Sequence, residues 1–193
     1  MRTEPYTRPQ YVAAFCELAA RIAASLEHVP PQMLPIRMYV AGGTALHFHT
    51  GERVSVDVDA VFSRRIALPD GLDVAYRDED GTARLLYFDR QYNDTLGLMH
   101  EDAYEDSLSL VLESIDPTVL DVRILAPVDL AVSKLGRFSA QDRSDIVALA
   151  RRGLITAAAL ESRANEAVGR YVGDTQRLRG NMATAATLIA AST

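Results

Sequence analysis

Hydrophobic and polar residues follow different rhythms along the chain, and each rhythm predicts its own kind of element. Val12, Phe15, Leu18, Ala19, Ile22 and Leu26 recur every three or four residues, which predicts a helix over 8–27 with one apolar stripe turned to a sheet. Three prolines then mark 28–35 as a loop. Residues 36–41 form an apolar run that stops at two glycines, the pattern of a strand, and 43–49 reads as a short helix. Over 54–62 valines alternate with polar residues, predicting a second strand. Segments 72–76 and 82–88 predict a hairpin around Glu79-Asp80-Gly81, and 92–105 an irregular loop. Segments 108–115 and 119–125 predict two more strands. From Pro127, suited to a first helical position, the pattern is helical. Leu130, Leu135 and Phe138 face inward, the next helix carries Asp142 and Asp145 on one face, and two alanine-rich helices separated at Gly173-Asp174 follow.

Composition narrows the class without naming a function. A chain of 193 residues fits one domain, with or without a helical extension, and can bury a full core. No apolar run approaches a membrane span, and the opening Met-Arg-Thr-Glu-Pro-Tyr has no secretory leader pattern. The single cysteine, Cys16, lies among Ala13, Phe15, Leu18 and Ala19; it reads as a small buried hydrophobe and fits a reducing cytoplasm. The net charge of −6 is uneven: residues 1–149 hold 14 Lys/Arg against 23 Asp/Glu, and 150–193 hold 6 against 3. An acidic N-terminal part argues against tight nonspecific nucleic-acid binding, which depends on neutralising phosphates. The later arginines read as solvated helix faces.

The candidate chemistry lies in MYVAGGTALHFHTGERVSVDVDAVF, residues 38–62. Alternate strand residues share a face, so Asp57 and Asp59 point one way while the valines point into a core. Neighbouring carboxylates repel each other unless a cation sits between them, and Mg²⁺ takes hard oxygen ligands while sharing its shell with substrate phosphates. Gly42, Gly43 and Thr44 supply a close backbone approach and the N-terminus of a helix, both suited to a phosphate. His47 and His49, two residues apart on a helix, face different directions and read as helix residues rather than metal ligands. Asp78-Glu79-Asp80 reads as a solvated turn.

This arrangement resembles the nucleotidyltransferase superfamily related to DNA polymerase beta, whose signature is Gly-Gly or Gly-Ser, about a dozen residues, and Asp-x-Asp. Here Gly43-Thr44 is followed by twelve residues and then Asp57-Val58-Asp59. The fuller pattern GGTAL…R-x-S-x-D-x-D, with Arg53 and Ser55 in place, is similar to the AbiEii/AbiGii-type and DUF6036-type branch, which includes toxins of toxin–antitoxin and phage-defence systems. The resemblance implies an α+β fold, a nucleotidyltransferase-like mixed sheet flanked by helices over 1–125 with a C-terminal helical region over 126–193. It implies an NTP substrate, Mg²⁺ or Mn²⁺ on Asp57 and Asp59, and phosphate contacts from Gly42, Gly43 and Thr44. Arg53 reads as a phosphate contact or a solvent-facing residue, and Ser55 as a brace for the turn into the strand. Many members carry a third carboxylate on a central strand; Asp121 is the candidate for it, as general base or metal ligand, with an Asp121–Arg123 pair on an edge strand as the alternative.

Lys134-Leu135, a gap holding Arg137, and Asp142-x-x-Asp145 match a second run of that branch, in which the lysine contacts phosphate and an aspartate belongs to the active site. Gln141 stands where arginine is usual and Ile146 where leucine is. Lys134 is the only lysine in the chain; its alternative is a snorkelling helix residue. The implied activity is transfer of an NMP from an NTP to a hydroxyl acceptor such as tRNA or a protein, with a cognate antitoxin as a further partner and no membrane. Two alternatives remain: a catalytically weakened member acting as a binding or antitoxin-like component, and an unrelated metal-dependent α/β protein.

Overall fold

The stripe of the first helix is buried as the sequence predicts from Phe15 through Leu26, and only at its head does Tyr11 replace Val12 in the core. Helix α1 (Pro9–Ser25) starts on a proline and buries Tyr11, Ala14, Phe15, Leu18, Ala19 and Ile22, while Val12 is half-buried. Tyr11 therefore takes the core position at the head of the stripe. The structure, a computed structural model, describes residues 7–94 and 97–192. The chain divides into two compact units: one runs to Tyr92 and includes Ser107–Ile124, and the other comprises Asn93–Asp106 and everything from Leu125.

The N-terminal unit holds two sheets. In the first, β1 (Ile36–Val40) runs parallel to β7 (Leu120–Ile124) and antiparallel to β3 (Ala60–Phe62), and β6 (Leu108–Ser109) closes the edge beside β7. In the second, β5 (Ala83–Phe88) pairs in parallel with β2 (Asp57–Val58) and antiparallel with β4 (Asp73–Arg77). Helix α2 (Gly42–Thr50) links β1 to β2, and α1 packs on β4 and β5. Phe15 meets Phe48 of α2 edge to face, ring centroids 5.1 Å apart.

Three expectations change here. The strand over 54–62 is broken at Asp59, so its halves belong to different sheets. Only Leu108–Ser109 of the strand over 108–115 is laddered, and Leu110 adds one bond to the Val122 carbonyl. Asp78 is not solvated: it is buried, 2.7 Å from Arg8 and 2.6 Å from Arg84. Burial raises the pKa of that carboxyl, but the Glu79 N–H and the two guanidinium charges outweigh it and hold it below the usual carboxylate range.

The C-terminal unit is helical: α3 (Pro127–Lys134), α4 (Ala140–Arg151), α5 (Ala157–Arg170) and α6 (Thr175–Ala190). α5 packs on α3 and α6, and α4 packs on α3 and α6. Thr156 and Asp174 cap α5 and α6 by accepting from the Ala159 and Arg177 N–H groups. Asp129, fully buried in α3, is held by Arg163 at 2.7 Å and 3.0 Å, so the buried charge is paired. Among the described residues no helix is long and apolar enough to cross a membrane.

Phe15 joins α1 to α2 and is fully buried. Phe15→Ala is expected to cost about 3–5 kcal/mol, read as a lower urea midpoint with an unchanged slope.

Candidate active site

The two consecutive glycines at the start of α2 are each covered by a residue of the segment that follows the helix. Gly42 has φ +58°, and a Cβ there would fall inside the Asp59 carboxylate, with even Asp59 Cγ only 2.8 Å away. A Cβ on Gly43 would lie 2.7 Å from Ser55 Oγ and 2.8 Å from an Arg53 guanidinium nitrogen. Ser55 Oγ in turn donates to Asp57 Oδ1 at 2.5 Å. Asp59 thus sits against one glycine, and Ser55 with its bonded Asp57 sits against the next. Adjacent Cα atoms are about 3.8 Å apart, so these side chains converge on one small area of backbone. Both aspartates are half-buried, and the intervening Val58 is fully buried.

The break at Asp59 makes this convergence possible. Its carbonyl accepts from the Ala41 N–H at 2.8 Å, one position beyond the Val40–Ala60 pair of β1 and β3. Asp57 belongs to the other sheet, opposite Tyr87 of β5. The helix beginning between them has no side-chain cap at Ala41, and its first backbone bond runs from Ala45 N–H to the Ala41 carbonyl. The N–H groups of residues 42–44 come before that bond and have no acceptor within the helix.

Two hydrogen-bonded relays hold the loop from α2 to β2. Thr44 Oγ1 donates to the Asp57 carbonyl at 2.9 Å, so the Tyr11 hydroxyl, 2.7 Å away, donates to Thr44. Thr44 is fully buried and its hydroxyl is engaged on both sides. That hydroxyl, on a residue expected to contact phosphate, is bonded here to the Asp57 backbone and to Tyr11. Burial drives the Tyr11 phenol pKa upward despite the Thr44 bond, so it stays a donor. In the second relay the Arg8 N–H donates to His47 Nε2 at 3.0 Å, which leaves the proton on Nδ1, 3.1 Å from the Arg53 carbonyl. Neither ring nitrogen of His47 has a lone pair left for a metal.

Asp121 lies elsewhere on the first sheet. It pairs with Arg37, whereas Asp59 bonds at the level of Ala41 on the other side of β1, an offset along the strand of four residues or roughly 13 Å at 3.3 Å per residue. Its carboxylate is 3.3 Å from Arg123, 3.2 Å from Ser109 Oγ and 3.8 Å from Arg37. β7 is an inner strand, flanked by β1 and β6. The expected pairing with Arg123 is present, on a central strand rather than an edge.

Lys134, Asp142 and Asp145 bond to near neighbours in the C-terminal unit. Lys134 Nζ donates to Asp145 Oδ2 at 2.6 Å, and Gln141 Nε2 donates to Oδ1 at 2.8 Å. All but Gln141 are buried. Gln141, at the position where arginine is usual, thus completes the hydrogen bonding of a buried carboxylate without adding a second charge. Asp142 accepts two bonds from Arg137 at 2.8 Å and forms a capping box with Ser139. Burial opposes ionisation of Asp142, but these donors bring its pKa down to about 2.

Among the described residues no three or more His, Cys, Asp or Glu side chains gather into a group that could hold a metal ion. Asp57 and Asp59 are the two carboxylates beside the glycine cradle. Two carboxylates, with substrate phosphates filling the rest of the shell, match the way Mg²⁺ is held in nucleotide sites. Sequence reading missed Tyr11 as part of this assembly, although its i, i+4, i+7, i+11 relation to Phe15, Leu18 and Ile22 marks it as a member of the same helical face.

Gly42→Ala is expected to displace Asp59 and strain a left-handed backbone, destabilising the protein by more than about 1 kcal/mol in urea unfolding. Burial pushes the His47 imidazole down to about 4, with the Arg8 charge adding to it and the Arg53 carbonyl and Asp78 opposing. A base with a lowered folded pKa stabilises the fold above its unfolded value near 6.5, and that contribution disappears as pH falls toward 4. Unfolding free energy should drop by up to about 3 kcal/mol across this window, and His47→Gln, less stable at pH 7, should show a flatter profile.

Residues 18–184 match one family model, described as a nucleotidyltransferase of unknown function (DUF6036). No curated protein and no solved structure gives a match. The matched region takes in the glycine pair, both aspartates of the cradle, and the Lys134, Asp142 and Asp145 cluster. The chain belongs to DUF6036, a nucleotidyltransferase family of unknown function.

Proposed function

We propose that the chain is a Mg²⁺-dependent nucleotidyltransferase that moves an NMP from an NTP to a hydroxyl acceptor. The observation carrying this reading is the seating of Asp59, and of Asp57 through Ser55, on the consecutive glycines that open α2. Asp57 and Asp59 would hold the metal, which when bound neutralises triphosphate charge and polarises the α-phosphate. Mn²⁺ would satisfy the same oxygen donors.

The chain's own residues supply position and charge. The leading N–H groups of α2 face the phosphates, and Arg53, packed against Gly43, adds a positive charge at that end. Gly42 keeps the backbone low enough for Asp59 and substrate to share the space. Thr44 and Tyr11 fix the backbone that presents Asp57. The acceptor oxygen forms its bond to the α-phosphorus as the bond to the bridging oxygen breaks; pyrophosphate leaves and the hydroxyl proton passes to water. Resemblance to AbiEii-type enzymes extends the reading to a toxin of a toxin–antitoxin or phage-defence system, acting on tRNA or on a protein and paired with an antitoxin.

The separation of Asp121 from Asp59 favours a second reading, a member that binds nucleotide but transfers poorly. One experiment tests both: incubate the chain with each α-³²P-labelled NTP and Mg²⁺, alone and with total tRNA. Label should appear on one acceptor with wild type and fall at least about 100-fold with Asp57→Asn or Asp59→Asn. Nucleotide binding with no label on any acceptor would overturn transfer and leave the binding reading.

A further inference from the structure

The second sheet of the N-terminal unit has an outer face that begins at Asp57 and continues over β5, beyond the glycine cradle. Asp57 of β2 pairs with Tyr87 of β5, so the two side chains stand on the same face in neighbouring strands, about 4.8 Å apart. Leu85 is two residues back along β5 and shares that face. Both are large and open: Tyr87 is 40% exposed and Leu85 48%. Their strand neighbours Leu86 and Phe88 point the other way and are buried, so the alternation is regular.

The placement of this apolar step beside the carboxylates gives it a purpose. β2 contacts α2 and pairs with β5. A triphosphate whose outer phosphates lie at the α2 N-terminus, with its α-phosphorus near Asp57 and Asp59, points its nucleoside away from α2 and over β5. Tyr87 then stands one strand spacing from Asp57, and Leu85 roughly 6.6 Å further along the strand, a reach suited to a base attached through its sugar. Aromatic rings stack on any nucleobase, because every base has a π-face, and an adjacent aliphatic side chain widens the platform.

We propose that Tyr87, extended by Leu85, is the platform on which the base of the incoming nucleotide stacks. This rests on the nucleotidyltransferase reading above and adds to it where the nucleoside lies and what recognises it. Stacking of this kind accepts several bases and gives little discrimination among them.

The test uses the full chain with Mg²⁺ and the four α,β-methylene NTP analogues, whose α–β linkage does not cleave, with inorganic tripolyphosphate as the probe that has no base. Calorimetry should show Tyr87→Ala weakening the nucleotide analogues about ten-fold or more, Leu85→Ala weakening them less, and Tyr87→Phe leaving them near wild type. Tripolyphosphate should bind all four proteins alike, which also reports that each variant is folded. Equal loss of tripolyphosphate and nucleotide binding in Tyr87→Ala would make Tyr87 structural and overturn the platform. Unchanged nucleotide affinity with slower transfer would assign the face to the acceptor and overturn it too. If wild type bound neither probe, the nucleotidyltransferase reading itself would fail, an outcome distinct from either of these.

Discussion

A side chain at residue 42 and the carboxylate of Asp59 cannot occupy the same space, and the N-terminal unit is built around that exclusion. Glycine there allows both the left-handed backbone turn and the approach of the aspartate. With Asp59 seated, its carbonyl meets the Ala41 N–H and the strand cannot run on straight: residues on either side of Asp59 pair with different sheets. A single residue is thus the corner of two sheets, the neighbour of a helix N-terminus and one of two candidate metal ligands. A strand break at such a point aims a side chain as a bulge does near an active site.

The corner is held from behind. Tyr11 and Arg8 belong to α1 and the residue before it, and each reaches the α2–β2 loop through one intermediate, Thr44 or His47. Both intermediates are fully buried. Turning the Thr44 hydroxyl outward to meet a phosphate would break its bonds to the Tyr11 phenol and the Asp57 carbonyl, a loss of about 1–3 kcal/mol for a buried group left unpaired. The threonine of the glycine motif thus holds the backbone of Asp57 in place. Sensitivity of this region to acid follows from the same burial, because a charged His47 could no longer accept from the Arg8 N–H.

Local features of the site were legible in the sequence. Gly42, Gly43, Asp57 and Asp59 lie within one short segment, and each signals through a rule that needs only near neighbours: backbone freedom, helix start, strand alternation. The break at Asp59 was not legible, because Val-Asp-Val-Asp-Ala-Val-Phe alternates smoothly and nothing local says that its halves have different partners. The position of Asp121 was not legible for a related reason: its distance from Asp59 depends on a parallel register between β1 and β7, which the hydrophobic pattern of neither strand specifies beyond its parity. The buried role of Asp78 depends on Arg8 and Arg84, partners distant in sequence or across a hairpin. Lys134 stood out as the only lysine, and its partner Asp145 was in view, but their pairing needed the packing of α3 on α4.

The same register explains why the acid count at the cradle is two. Asp121 meets the opposite end of β1, and its charge is balanced there by Arg123 and Arg37. Two carboxylates leave most of an octahedral shell to water and substrate, so under the proposed function an ion gains its full set of ligands only with a triphosphate present. Metal and nucleotide then stabilise each other's binding, each supplying what the other lacks: charge neutralisation for the phosphates and oxygen donors for the ion. A nucleotide held by its phosphates alone could still swing its nucleoside. A contact on the β5 side of Asp57 would fix that end, which is where the open face carrying Tyr87 lies. Positioning in such a site is distributed between the glycine cradle and the neighbouring strand rather than concentrated in a third acid.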